Sequence, residues 1–456
     1  MTSAAAPAET LLAPSSLAGR ARELLAHDGW PRDRLAEYQR ERLRSLVRHA
    51  VGHSPYYREV LGPDAAAADL RDLPTLPKPR LMEELDRIVT DPRLRLDELD
   101  SFLQAADAGE RFLGEYRVFS TSGTSGAPGL FVYSQEEFAH WVAVALRTFV
   151  RAGLTPQTRL VGIGAPKALH LSRQMIDALQ AGRGGAPLLS VVTPLEEMVA
   201  ALNDYRPDAL GGYPSVVALL AEEQLAGRLR IAPRIVLTTS EVLTEDAAAR
   251  IERAWTKPIE GYFSTEVAVI AGGSAEHVGL HVCEDAIVEV VDESGDPVPP
   301  GRPGAKVLLT NLVNRTQPLI RYELLDSVQL ADGPDPSGRP FDRIERIDGR
   351  SDDILRLPGS GGGTVAVHPY RLRAPFVRLL DVLQYQVVQR RGGLVVAVVV
   401  RPGAPRDLAG LVRSGIEEAL AGAGAACAVE VQAVDAIARE PGPAAKVKLV
   451  RAEPKG

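Results

Sequence analysis

The chain has 456 residues, a net charge of −7, and 45% hydrophobic and 24% charged residues. That length supports two or three domains with full cores. The charge balance gives no electrostatic reason to expect nucleic acid or an anionic membrane as a partner, and no apolar run is long enough to span a bilayer. The first nine residues lack a basic region ahead of an apolar core, so they do not read as a secretory signal. Cys283 and Cys427 form no metal-ligand or disulfide pattern, which fits a reducing cytoplasm.

A helix is predicted over 32–62. Leu43, Leu46, Val47, Ala50 and Val51 keep the i, i+3, i+4 spacing, and His53-Ser-Pro55 breaks it. From about 140 to 260, apolar runs at 159–163, 188–192 and 234–238 read as buried strands. Amphipathic stretches at 196–204 and 214–224 read as the helices between them. That alternation predicts a parallel sheet covered on both faces, with ligand-binding loops at the carboxyl ends of its strands. Runs at 286–291 and 305–310, separated by Gly/Pro turns, predict antiparallel, barrel-like structure. After the Gly/Pro-rich stretch 355–370, the tail carries a strand at 394–400. A helix follows with Leu408, Leu411, Val412 and Ile416 on one face, then a strand at 428–434. The fold class is α/β. A large N-terminal domain, 1–349, has parallel sheets flanked by helices plus a small β-barrel-like part. A smaller α+β C-terminal domain spans 350–456.

Four clusters carry chemistry. The stretch Phe119 to Gly129 holds five hydroxyl side chains and three glycines in eleven residues. It offers close backbone N–H groups and hydroxyl donors, the properties of a polyphosphate loop; a flexible Ser/Gly linker is the plain alternative. Gly261-Tyr-Phe-Ser-Thr-Glu266 places aromatic, hydroxyl and carboxylate groups together. Pro318 to Asp326 is followed, about twenty residues on, by Arg346 to Asp353. Lys446 and Lys448 lie near the C-terminus of a chain in which only seven of 52 basic residues are lysine.

With these motifs in this order, the sequence resembles the adenylate-forming superfamily, and within it the phenylacetate–CoA ligase-like branch. The segments around His49 to Arg58 and Gly279-Leu-His-Val-Cys-Glu-Asp285 add to the match, which covers roughly residues 40–450. The resemblance implies attack of a carboxylate on the α-phosphate of ATP, giving acyl-AMP and pyrophosphate, largely by positioning and electrostatic stabilisation. Ser120, Thr121, Ser122, Gly123, Thr124, Ser125 and Gly126 are expected to wrap the β- and γ-phosphates. Tyr262 is expected to stack on adenine, beside Phe263 and Ser264. Thr265 would touch the α-phosphate region and Glu266 would hold Mg²⁺. Asp326 would accept both ribose hydroxyls. Ser240 and Glu241 would line the adenine and acid sites, and Arg350 would add ribose or phosphate contacts. The C-terminal domain is expected to be mobile about a hinge near Asp352, bringing Lys446 to the α-phosphate and carboxylate. A flexible point-charge ammonium suits such a transient contact. Lys448 is the alternative for that role.

The second half-reaction implied is transfer to a thiol, either CoA or carrier-protein pantetheine. Capture of the adenylate by an amine, activation of nitrite as in diazotising relatives, and a weakly active nucleotide-binding protein are the rivals. A small-molecule acid and an acyl carrier protein are the partners expected of a cytoplasmic monomer or homodimer, with a role in secondary metabolism.

Four departures matter. The loop continues Gly126-Ala-Pro-Gly129, without the usual lysine, so pyrophosphate is held more weakly or by a basic residue from elsewhere. Phe263 replaces a glycine and should make the acid pocket small, shallow or re-routed. Glu323-Leu-Leu325 replaces the usual run before Asp326. The segments 271–277 and 332–338, where many branch members have zinc-binding cysteines, contain none, so no zinc is expected.

Overall fold

The computed structural model describes residues 14–107, 109–121, 128–181, 185–440 and 443–451. Near the start, helix Arg32–His53 buries Leu35, Leu46, Val47 and Ala50 on one stripe. It stops one residue before Pro55, but the proline begins a new helix rather than a loop. Ser54 caps helix Pro55–Leu61 by accepting a hydrogen bond from the Tyr57 N–H at 3.3 Å. A serine cap followed by proline at the first helical position is a favourable start.

The centre is a nine-stranded sheet. From one edge its strands are Asp326–Leu330, Arg343–Arg350, Leu280–Val282, Ala271–Gly272, Ile259–Tyr262, Ile235–Thr239, Ala209–Gly212, Leu160–Gly164 and Leu189–Ser190. The last five run parallel, as the strand–helix alternation predicts, whereas the first five pair antiparallel. Successive residues of the parallel strands serve different cores. Leu160, Ala209, Ile235 and Leu237 join one cluster, and Val161, Ile163, Leu210 and Val236 join the other. Alternation with period two across a sheet covered on both sides produces this split. Helices Leu195–Tyr205, Pro214–Leu225 and Glu245–Ala254 contribute to the second cluster. Helix Gln135–Arg151, opened by a reciprocal cap between Ser134 and Glu137, contributes to the first.

Glycines set how closely helix Leu171–Gln180 approaches. A Cβ on Gly162 would sit 2.6 Å from Ile176 Cγ2, and one on Gly164 would sit 2.7 Å from Ile176 Cδ1. Only bare backbone admits the isoleucine there.

The run at 285–330 forms the antiparallel sheet Ala286–Val291, Lys306–Asn311 and Tyr322–Leu324. A bridge from Pro303 to Gln329 ties it to the edge of the large sheet. A buried charge knot fastens the N-terminal helices to this region. Arg147 grips both Glu284 oxygens at 2.6 and 2.7 Å, His27 meets Glu284 at 2.6 Å, and Tyr38 donates to Asp285 at 2.6 Å.

The C-terminal part has its own core. Four strands lie in the order Ala428–Ala433, Gly393–Val400, Val382–Arg390, Val450–Arg451. Helix Leu408–Gly422 covers them with Leu408, Val412, Ile416 and Leu420. Leu411, placed on that face by the sequence reading, is 48% exposed; it falls a quarter-turn away from the 408–412–416–420 stripe. Among the described residues, no helix is long and apolar enough to cross a membrane.

Candidate active site

A cavity of about 920 Å³ opens at the carboxyl ends of the parallel strands. Of the residues picked from the sequence, Thr121, Ser240, Glu241, Tyr262, Phe263, Ser264, Thr265, Glu266, Asp326, Arg350 and Lys446 all line it. Ser120 closes strand Tyr116–Ser120, paired with Leu130, and is not part of the lining. Ser122, Gly123, Thr124, Ser125 and Gly126 lie outside the described residues.

The base of the phosphate-type loop is pinned. Thr121 N–H donates to the Gly129 carbonyl, and the Gly129 N–H donates back to Thr121 Oγ1, both at 2.9 Å. Against this pair sits a residue absent from the sequence-level candidates. Lys78 Nζ lies 3.4 Å from Thr121 Oγ1, and its Cε is 3.1 Å from where a Cβ on Gly129 would be. Lys78 lines the same cavity, so a lysine from a distant helix stands beside the loop that lacks one.

The turn after strand Ile259–Tyr262 is held through its backbone carbonyls and through Ser264 Oγ, which accepts the Val267 N–H at 3.3 Å. The Thr265 carbonyl accepts from Tyr133 Oη at 2.7 Å, and the Glu266 carbonyl accepts from Asn311 Nδ2 at 3.0 Å. Burial, and then the nearby Asp326 carboxylate, raise the Glu266 carboxyl above the ordinary range. A hard divalent cation beside it would offset both effects, so this donor fits Mg²⁺. Asp326 and Arg350 are cross-strand partners. Tyr262 Oη donates to Asp326 Oδ2 at 2.5 Å, which orients the carboxylate and fixes the ring at the cavity wall.

Lys446 is half-buried and lines this cavity. Desolvation lowers its ammonium pKa, opposed by the carboxylates of Glu241, Asp326 and Glu266. Its segment is threaded in from the C-terminal part. Glu241 accepts from the Val447 N–H at 2.7 Å and from the Ser215 N–H at 3.2 Å. Ala445, buried among side chains of the large domain's second core, holds a left-handed backbone with φ of 47°. Ser240 and Ala268 on the lining are also left-handed, with φ of 73° and 60°. Such strain persists only where the surroundings over-determine it, and it gathers at functional sites. Lys448 is instead held 2.5 Å from Asp353.

His170, also missed from the sequence, caps helix Leu171–Gln180. Its Nδ1 accepts the Ser172 N–H at 3.2 Å, which leaves the proton on Nε2. Burial and the charge of Lys446 push its pKa down to about 3, so it enters the cavity neutral. The two segments that lack zinc-type cysteines are each held by a neighbouring residue. Arg339 meets Glu276 at 3.0 Å, and His281, on the strand beside them, meets Asp335 at 2.8 Å.

Residues 117–310 match the family described as AMP-binding enzyme. The phenylacetate–coenzyme A ligase of Thermus thermophilus is 29% identical over 394 residues, 80% of each chain. The chain is thus similar to the adenylate-forming superfamily, and within it to the phenylacetate–CoA ligase-like branch. It is an adenylate-forming ligase. Its fold agrees: a 2-hydroxyisobutyryl-CoA ligase solved in a postadenylation state superposes with a TM-score of 0.71 at 21% identity, over 91% of this chain and 88% of that one. The same enzyme in its thioesterification state superposes at 0.60 with 21% identity, over 94% of this ligase and 91% of that chain.

Proposed function

We propose that this ligase activates a carboxylic acid with ATP and Mg²⁺ as the acyl-adenylate, releases pyrophosphate, and passes the acyl group to the thiol of CoA. The observation that carries the reading is the convergence of Lys446, Glu266, Asp326 and Arg350 on one cavity. A flexible ammonium close to the carboxylates of Glu241, Asp326 and Glu266 is suited to neutralise charge at the α-phosphate and the incoming carboxylate.

In this scheme Asp326, oriented by Tyr262, holds the ribose hydroxyls, and the Tyr262 ring faces adenine. Thr121 and the loop after it hold the outer phosphates together with Lys78, while Thr265 and Arg350 approach the α-phosphate. Glu266 would hold Mg²⁺, which supplies charge neutralisation on the phosphate oxygens. The neutral His170 offers an Nε2–H to the acid beside Lys446. Residues 1–349 form the adenylation domain, and 350–456 swing about a hinge near residue 352 between the half-reactions.

The experiment is pyrophosphate release with ATP and Mg²⁺ across small and aromatic acids and nitrite, with and without CoA. Acid-dependent release should fall by roughly a hundred-fold or more in Lys446→Ala, and CoA should raise turnover. Release that is unchanged in Lys446→Ala, or that needs no acid, refutes the scheme.

A further inference from the structure

One charged cluster joins the sheet-bearing part to the C-terminal part at the margin of the same cavity, whose lining includes Arg250 and Leu383. Arg250, on helix Glu245–Ala254, donates from Nη1 to the Leu383 carbonyl at 2.8 Å and from Nη2 to the Val382 carbonyl at 2.9 Å. Its Nε lies 2.9 Å from Glu222 Oε1, on helix Pro214–Leu225. Glu222 Oε2 in turn lies 2.7 Å from Arg401 Nη2 of the C-terminal part. The angles at Glu222 make these ion pairs rather than aligned hydrogen bonds. Arg250 and Glu222 are 3% and 6% exposed.

Successive carbonyls of a regular strand point in opposite directions, so one guanidinium cannot serve both. Here the pairing of Val382–Arg390 with its neighbour slips between Val382 and Gln384. A bulge of this kind re-aims the backbone locally, and two adjacent carbonyls face Arg250. The same strand carries the lysine segment. The Val387 N–H donates to the Leu449 carbonyl, and Gln386 Nε2 donates to the Lys448 carbonyl, both at 2.8 Å.

We propose that Arg250, Glu222 and Arg401 form a latch that holds the C-terminal part where Lys446 enters the cavity. They are positioning residues for adenylate formation, and the latch opens before the acyl group is transferred. The proposal rests on the two-half-reaction reading above. It adds what stabilises the first arrangement: a carboxylate shared by two arginines, one from each side of the interface, and two carbonyls turned toward a buried guanidinium. Removing a charged donor from such an interface weakens it.

The test uses Arg250→Met and Arg401→Ala in the full chain, each of which leaves Glu222 one arginine. Lysines are acetylated briefly with acetic anhydride without substrates, and the Lys446 to Lys306 labelling ratio is read by mass spectrometry. Lys306 lies on a strand of the large domain, so general unfolding raises both signals and leaves the ratio flat. The ratio should rise about five-fold or more in Arg250→Met and less in Arg401→Ala. With phenylacetate as the probe acid, ATP–pyrophosphate exchange should fall, while CoA transfer from supplied phenylacetyl-adenylate should hold or rise. A flat ratio in both variants overturns the latch, as does an equal loss in the two half-reactions. If the unsubstituted enzyme works on neither phenylacetate nor its adenylate, the choice of acid or the proposed function has failed; the labelling ratio still decides the latch.

Discussion

Replacing Lys78 with alanine tests whether a residue from outside the loop grips the outer phosphates of ATP. The loop reads Gly126-Ala-Pro-Gly129, and Lys78 stands 3.4 Å from Thr121 at its base. An ammonium about 4 Å from a phosphate oxygen gains about 1 kcal/mol in bulk water and about 4 kcal/mol at an effective dielectric of 20. A charge-assisted hydrogen bond falls between, at about 1.5–3 kcal/mol. At about 1.4 kcal/mol per decade, that is roughly a ten- to hundred-fold rise in KM for ATP. The assay is initial-rate pyrophosphate release against ATP at a saturating acid. Lys78→Arg should recover part of the loss, because charge is kept while the point geometry is not. A KM for Lys78→Ala within about two-fold of the unsubstituted enzyme would refute the reasoning, since it leaves well under the about 1.5 kcal/mol assigned to the contact.

Phe263 lines the cavity with its ring against Gly261, where a Cβ would come within 3.0 Å of the ring. Phe263→Gly should let bulkier acids support pyrophosphate release; an unchanged acid profile removes the pocket-filling role. The Glu260 carboxyl on the cavity wall is raised to about 7 by burial. Its unfolded value is near 4.5, so between these limits the native state binds more protons and stability falls as pH rises. Glu260→Gln should therefore gain Tm over the unsubstituted enzyme at about pH 8 and gain none at about pH 4; a pH-independent difference would contradict the shift.

The parallel half of the sheet was legible because its strands are apolar runs too short to be helices, separated by helical periodicity. The antiparallel half was partly hidden: Ala271–Gly272 and Leu280–Val282 are too short to show alternation. Helix Gln135–Arg151 is largely buried, which removes the polar face that a periodic pattern needs. Ser54 shows the limit of reading proline as a stop, since the same proline starts the next helix when a capping side chain precedes it. Among site residues, the scarcity of lysine drew notice to Lys446 and applied equally to Lys78, in Pro77-Lys-Pro79. Lys78 carries no further local signal, because its partner, Thr121, is 43 residues away and only the fold brings them together. His170 gave no local signal; its tautomer and low pKa come from burial and from Lys446, 276 residues distant.

The cavity's position follows from the sheet. Strand Leu160–Gly164 leads through helix Leu171–Gln180 to Leu189–Ser190 on one side. The chain then returns to place Ala209–Gly212 on the other side, with Ile235–Thr239 and Ile259–Tyr262 beyond it. At such a reversal the connections leave the strand ends in opposite directions, and a crevice opens between them. Gly162, Gly211 and Gly212, on the two strands that flank it, present bare backbone to the opening. The antiparallel strands then bring Asp326 and Arg350 to the far side of the same opening. What the sheet does not provide is a mobile cation at the centre. Lys446 arrives from a separate core through a strained Ala445 and is held by contacts that can be broken. Under the proposed scheme, the α-phosphate site must be cleared before a thiol attacks, which calls for the central charge on such a removable part; a lysine fixed on the sheet could not be withdrawn.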